Sequence, residues 1–208
     1  MPRIFNTVLQ PIHAGSFHWQ IAMTDAVDSL HRTRAWVENF VVGLDICPFA
    51  RRELERDSIR YVPVSAASPE QALLALIDEC QRLDSDASIE TTLVVLTDGA
   101  EVFDDYLDLL GLAEALLDDQ GYEGVYQLAS FHPDYCFDGV AEDDPANYTN
   151  RSPHPMLHLL REAGVEQALS RFAHPERIPE RNVETLRRLG NRALAERLLA
   201  CCRSTGGR

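Results

Sequence analysis

Residues 131–161, FHPDYCFDGVAEDDPANYTNRSPHPMLHLLR, concentrate histidine, aspartate, asparagine, arginine, cysteine and serine where packing alone does not ask for them. His132 and Asp134 flank Pro133. A proline stiffens that turn, so the carboxylate can orient the imidazole and raise its basicity, an arrangement suited to general acid–base catalysis. The structural alternative is a histidine closing a strand end beside an aspartate in an Asx-turn. Asn147, Asn150, Arg151 and Ser152 precede Pro153, an expected helix start. Free N–H groups and a guanidinium at such a start grip carboxylate or phosphate, which predicts a small anionic ligand. Arg151 paired to a nearby acid, with Ser152 as a plain N-cap, is the other reading. His154 and His158 stand four apart and would share one face of that helix, so a metal ion held by His132, Asp134 and His158 is a second hypothesis. Cys47, in Asp45-Ile46-Cys47-Pro48-Phe49, lies at a break between helical stretches. There a thiol feels unpaired amides and becomes a candidate nucleophile, against the alternative of a buried structural thiol; Cys136 is a further candidate. The non-catalytic alternative is a ligand-binding protein using the same loop. No cofactor is predicted.

These groups need a scaffold. Thr24 is a candidate N-cap for an amphipathic helix carrying Val27, Leu30, Val37, Phe40, Val41 and Leu44, which Pro48 ends. Ile59–Val64 predicts a strand, placed at an edge by Pro63. Ser68-Pro69-Glu70-Gln71 opens a helix as a capping box with proline at its first position. TTLVVLT, residues 91–97, predicts a central strand buried on both faces. A helix over 102–119 and a strand over Val125–Phe131 follow. Ser152-Pro153 is read as opening a helix through about Glu162, and further helices near 165–173, 180–189 and 191–202 form a C-terminal cap. The fold expected is α/β, a small mostly parallel sheet of three or four strands with flanking helices; the rival is a ferredoxin-like α+β arrangement. Ligands of open α/β sheets bind beyond the carboxyl ends of parallel strands. That rule gathers Ser65–Ser68, Thr97-Asp98-Gly99, His132–Asp134 and the 147–158 segment.

Residues 1–22 lack sustained periodicity and are read as an extension, leaving 23–208 as a single domain. At 208 residues and 45% hydrophobic content the chain can bury one core. Its net charge of −14 repels phosphate backbones, so nucleic acid is not an expected partner. All 19 basic residues are arginine, which removes Schiff-base and P-loop lysine chemistry. No apolar run reaches the roughly 18 residues of a membrane span, and five scattered cysteines without CxxC spacing fit a reduced compartment. A cytoplasmic protein with no membrane partner is expected. Cys80, on the apolar face of its helix, is read as core.

The segments Gly43–Ala50 (GLDICPFA), Leu128–Tyr135 (LASFHPDY) and Asp144–Glu162 resemble a bacterial domain-of-unknown-function family, number 1415 in the usual series. The resemblance spans about Arg34 to Gly190. It implies hallmark positions at Cys47, Pro48, His132, Asp134, Asn147, Asn150, Arg151, Ser152 and His158, and carries no established activity. Relatives are expected often to have tyrosine in place of His154, which counts against a two-histidine metal helix.

Overall fold

The run TTLVVLT lies at the heart of a four-stranded sheet in the computed structural model, which describes residues 14–203. Strands β1 (Ile59–Ser65), β2 (Thr91–Asp98), β3 (Tyr126–Phe131) and β4 (Met156–Arg161) lie in the order β1-β2-β4-β3. β1 and β2 pair parallel, and β4 runs antiparallel to both β2 and β3. The fold is α/β, but the sheet is mixed rather than mostly parallel. β2 and β3 point the same way with β4 between them, a split βαβ unit shared with the ferredoxin-like alternative. β1 and β2 are direct neighbours, which that alternative does not predict.

The strand β4 corrects the expected helix from Ser152 to Glu162. Its side chains alternate: Met156 joins the core on one face, whereas Leu157 and Leu159 join the core on the other. A period of two with hydrogen-bonding partners on both sides stabilises a strand, and a short leucine-rich run carries no helical preference strong enough to oppose it. The helix start expected at Asn150–Pro153, and the shared helical face of His154 and His158, therefore do not exist. His154 lies in the connection before β4, and His158 lies within the strand.

Helices α3 (Pro69–Ser85) and α4 (Phe103–Asp119) cover the face bearing Val94, Leu96, Leu157 and Leu159. Cys80 is fully buried there, as expected. Ser68 is the N-cap of α3 with Pro69 at its first position, but its side chain makes no capping bond. Beside α3, Glu79 is 6% exposed and accepts two bonds from Arg60, at 2.7 and 3.1 Å, and one from Thr92.

Helices α1 (Ala14–Trp36) and α6 (Ile178–Arg203, interrupted at Gly190) cover the opposite face, bearing Leu93, Val95 and Met156. α1 runs through Thr24 and so is not capped by it; residues 1–13 lie outside the described residues. From Val37 to Val42 the chain widens into a π-helix. The wider turn lets Trp36, Val37, Phe40, Val41 and Val42 all be buried together, and its register shows in Ile46 N–H donating to Val41 O five residues back, at 2.9 Å. Gly43 follows, and a Cβ there would sit 2.2 Å from the Asn39 carbonyl oxygen. Two short helices complete this side: α2 (Ala50–Glu55) and α5 (Glu162–Ser170). Among the described residues no helix is long and apolar enough to cross a membrane.

Candidate functional site

The carboxyl ends of β1, β2 and β3 meet along one edge, as the strand-end rule requires. Ser65 Oγ donates to Asp98 Oδ2 at 3.1 Å and Ala66 N–H to Asp98 Oδ1 at 2.9 Å. His132 bonds to Ala100 across the next gap, and its N–H donates to Asn150 O at 3.2 Å. The four loci are brought together, but their polar atoms are turned on one another.

His132 shows this most plainly. It is 0% exposed, packed between the rings of Phe103 and Tyr106 at centroid distances of 5.1 and 5.2 Å. The backbone N–H of Asp134 donates to its Nδ1 at 3.0 Å. An amide can only donate, so Nδ1 carries the lone pair, Nε2 carries the proton, and Nε2–H donates to Ala100 O at 3.1 Å. Burial holds the imidazole below its ordinary basicity. The contact with Asp134 thus runs through its backbone N–H, the geometry of the strand-end alternative. Tyr106 fixes the same corner: its hydroxyl donates to Met156 O at 2.7 Å and accepts from Phe131 N–H at 3.0 Å.

The asparagines and serine of the loop are likewise engaged. Asn147, 0% exposed, donates to Ala141 O and Glu142 O and accepts from Phe137 N–H. Asn150 donates to Ser130 O at 2.9 Å, and the buried Ser152 hydroxyl donates to His154 O at 2.6 Å. Arg151 donates to Tyr135 O and Glu142 O and stacks over Tyr148 at 4.9 Å. Its guanidinium lines a cavity of about 400 Å³ at the strand-end edge, beside Asp104, Asp134, Cys136 and Glu142.

Cys47 and His158 meet elsewhere, in a cavity of about 280 Å³ on the α1/α6 face of the sheet. No residue lines both cavities. The π-helix and its following turn supply Trp36, Val37, Val41, Cys47 and Phe49; the sheet supplies Thr91, Leu93, Ala129, Phe131, His158 and Leu160; α5 supplies Gly164, Val165 and Ala168. The turn that carries Cys47 is fastened by α6: Arg181 bonds Asp45, and Asn182 Nδ2–H donates to Ile46 O at 2.8 Å. Asp45 takes φ 55° in that turn.

Burial raises the Cys47 thiol, outweighing the N–H groups of Phe49 and Ala50, which act the other way; Asp45 adds to the rise and Arg181 opposes it. Burial thus acts against the thiolate that the sequence suggests at Cys47. His158 is the reverse case of a suppressed charge, with burial lowering it to about 4. Its Nε2 lies 2.7 Å from Thr91 Oγ1, whose own hydroxyl donates to Leu159 O at 2.6 Å.

His132 and His158, two residues of the metal hypothesis, lie on opposite faces of the sheet. Both nitrogens of His132 are engaged on the α4 side of the sheet, whereas His158 opens to the opposite face. Among the described residues no group of three or more His, Cys, Asp or Glu is arranged to hold an ion. Sequence reasoning passed over Trp36, Thr91 and Tyr106. The first two were legible only as core positions, and no local pattern announces a tyrosine that bridges two strand ends.

Neither the curated proteins nor the solved structures contain a match to this chain. A family described as "Protein of unknown function (DUF1415)" matches residues 28–196, a span that includes the Cys47 turn, the His132 corner and β4. The chain belongs to that family.

Proposed function

We propose that this protein binds a small, mainly apolar molecule in the cavity between the sheet, the π-helix and α5. The observation that carries the reading is the lining. Aromatic and aliphatic side chains make up most of the lining of a space of about 280 Å³, and two of its titratable groups, Cys47 and His158, are held neutral by burial. Pockets for small ligands are concave and apolar with a few placed polar groups. A cavity of roughly 150 Å³ already takes up benzene, so this one suits a ligand of about a dozen non-hydrogen atoms. Burying such a ligand gains roughly 25 cal/mol per Å² of apolar surface, which is available without any rearrangement of charge. The π-helix beside it fits, since such turns recur at functional sites.

An anionic metabolite gripped by Arg151 has weaker support. Asp104, Asp134 and Glu142 share that cavity with a guanidinium already donating to two carbonyls. A protonated thiol beside a neutral imidazole also favours ligand binding over nucleophilic catalysis.

Propylbenzene provides the test. It should raise the melting temperature of the protein, and the shift should vanish in Ala168→Phe, whose ring fills the cavity from α5. No shift in the parent protein, or an equal shift in the variant, rules the reading out.

A further inference from the structure

His158 has one of its two ring nitrogens without a hydrogen-bond partner among the described residues. The Thr91 hydroxyl has a single proton, and it is directed at Leu159 O, an oxygen that can only accept. Toward His158, Thr91 Oγ1 can then only accept, so the 2.7 Å contact requires the proton to sit on Nε2. The tautomer is thereby fixed through two links, from the β4 carbonyl to the Thr91 hydroxyl to the imidazole. Nδ1 is left with a lone pair and makes no hydrogen bond among the described residues. Among the described residues, the unpartnered side-chain polar atoms sealed away from open space are Arg32 Nε, Trp36 Nε1, Tyr61 Oη and His154 Nε2. His158 Nδ1 is not one of them, so it keeps accessible surface on a ring that lines the cavity.

The contrast with His132 sharpens the point. There both nitrogens are engaged by backbone groups of the same corner. At His158 one nitrogen is oriented by the protein and the other is presented, on a ring steadied by Phe131 at a centroid distance of 5.9 Å. The charged residues of the lining are already engaged. Arg161 is occupied by the carbonyls of Leu83, Asp86 and Ile89, and Glu53 accepts from Ser58. The remaining carboxylate, Glu90, faces Gly164, where a Cβ would meet its Oε1.

We infer that the occupant of the cavity is an uncharged molecule with an apolar body and one hydrogen-bond donor, typified by an alkylated phenol, whose O–H donates to His158 Nδ1. This rests on the cavity being the binding site and adds the polar half of its specificity. Thr91 acts as a positioning residue, since it sets which nitrogen can accept. Ligands with a carboxylate are selected against, because an anion would meet a lone pair and the neighbouring Glu53 and Glu90, while the Arg161 guanidinium is held by backbone carbonyls.

Three probes of one shape separate the elements: propylbenzene, 4-propylphenol and 4-propylbenzoate, titrated calorimetrically at pH 7.5. The phenol is expected to bind about fivefold tighter than propylbenzene, the ratio one neutral hydrogen bond supplies. The benzoate is expected to bind at least about tenfold more weakly than the phenol, as an anion whose nearest cation, Arg161, is already engaged by carbonyls. In His158→Phe the phenol should lose its advantage while propylbenzene still binds, a readout that also certifies an intact cavity. Thr91→Val, which frees the tautomer, should reduce the advantage with less disturbance to packing. Equal affinity for propylbenzene and the phenol, a phenol advantage that survives both variants, or benzoate as the tightest ligand each overturns the inference while leaving the cavity as a binding site. Failure of all three probes removes the binding reading itself.

Discussion

Acid should unfold this protein in a window set largely by His158. Burial lowers its imidazole from 6.5 to about 4. Between those values the unfolded chain holds a proton that the folded chain refuses. Stability therefore falls as pH falls, beginning near 6.5 and levelling off below about 4. At about 1.4 kcal/mol per unit, the full interval amounts to about 3 kcal/mol, with about 2–3 kcal/mol already lost by pH 4.5. His132 and His154 are also held low by burial and act with the same sign, so the parent curve alone does not isolate one residue. His158→Gln does: its amide can still donate to Thr91 but does not titrate. Urea unfolding of both proteins at pH 7.5, 6.5, 5.5 and 4.5 gives the difference directly. The variant should be the less stable protein at pH 7.5, through lost packing, and should gain about 2–3 kcal/mol relative to the parent by pH 4.5. A difference constant to within about 0.5 kcal/mol across the series would refute the assignment of a buried neutral imidazole.

Further expectations concern the parts that hold the cavity in place. Tyr106→Phe strands the Phe131 N–H and the Met156 carbonyl and should cost about 1–3 kcal/mol in urea unfolding; a cost near zero would mean that water replaces the hydroxyl. Arg60→Met leaves the Glu79 carboxylate buried beside Thr92 alone and should cost about 2 kcal/mol, most of it recovered by adding Glu79→Gln. Gly99→Ala should be more destabilising than Gly121→Ala. Both glycines have positive φ, but only at Gly99 would a Cβ lie 2.0 Å from a backbone oxygen, that of Ala66; melting temperatures of the two variants decide it. Iodoacetamide should modify Cys47 more slowly at pH 7.5 than a free thiol, with a rate still climbing above pH 9, because burial raises the thiol; a rate already at its plateau by pH 7 would show an activated thiolate.

The strands and helices whose side chains agree with their surroundings were legible in the sequence. TTLVVLT became β2, Pro63 marked an edge strand, and Ser68-Pro69 marked the start of α3. The segment MLHLLR was not legible, because four apolar residues in a run of six shortly after Ser-Pro satisfy a helical stripe as well as a two-faced strand. Only pairing with β2 and β3, distant in sequence, distinguishes them. That misreading removed His158 from the sheet and so hid its cavity. The polar loop was correctly seen as unusual, but residue type does not say which way a polar atom points. Asn147, Asn150 and Ser152 face carbonyls and amides of their own corner. The cavity itself draws on segments from Trp36 to Ala168, and apart from Cys47 and His158 nothing in them stands out locally.

The most direct measurement is a set of intermolecular nuclear Overhauser effects from 4-propylphenol to the isotopically labelled protein. Binding as described here predicts contacts from the propyl and ring protons to the methyl groups of Ala129, Val165 and Ala168 and to the ring of Trp36, residues that meet only around the Cys47–His158 cavity. Contacts to Phe103, Val102 or Arg151 at the strand-end edge would contradict it.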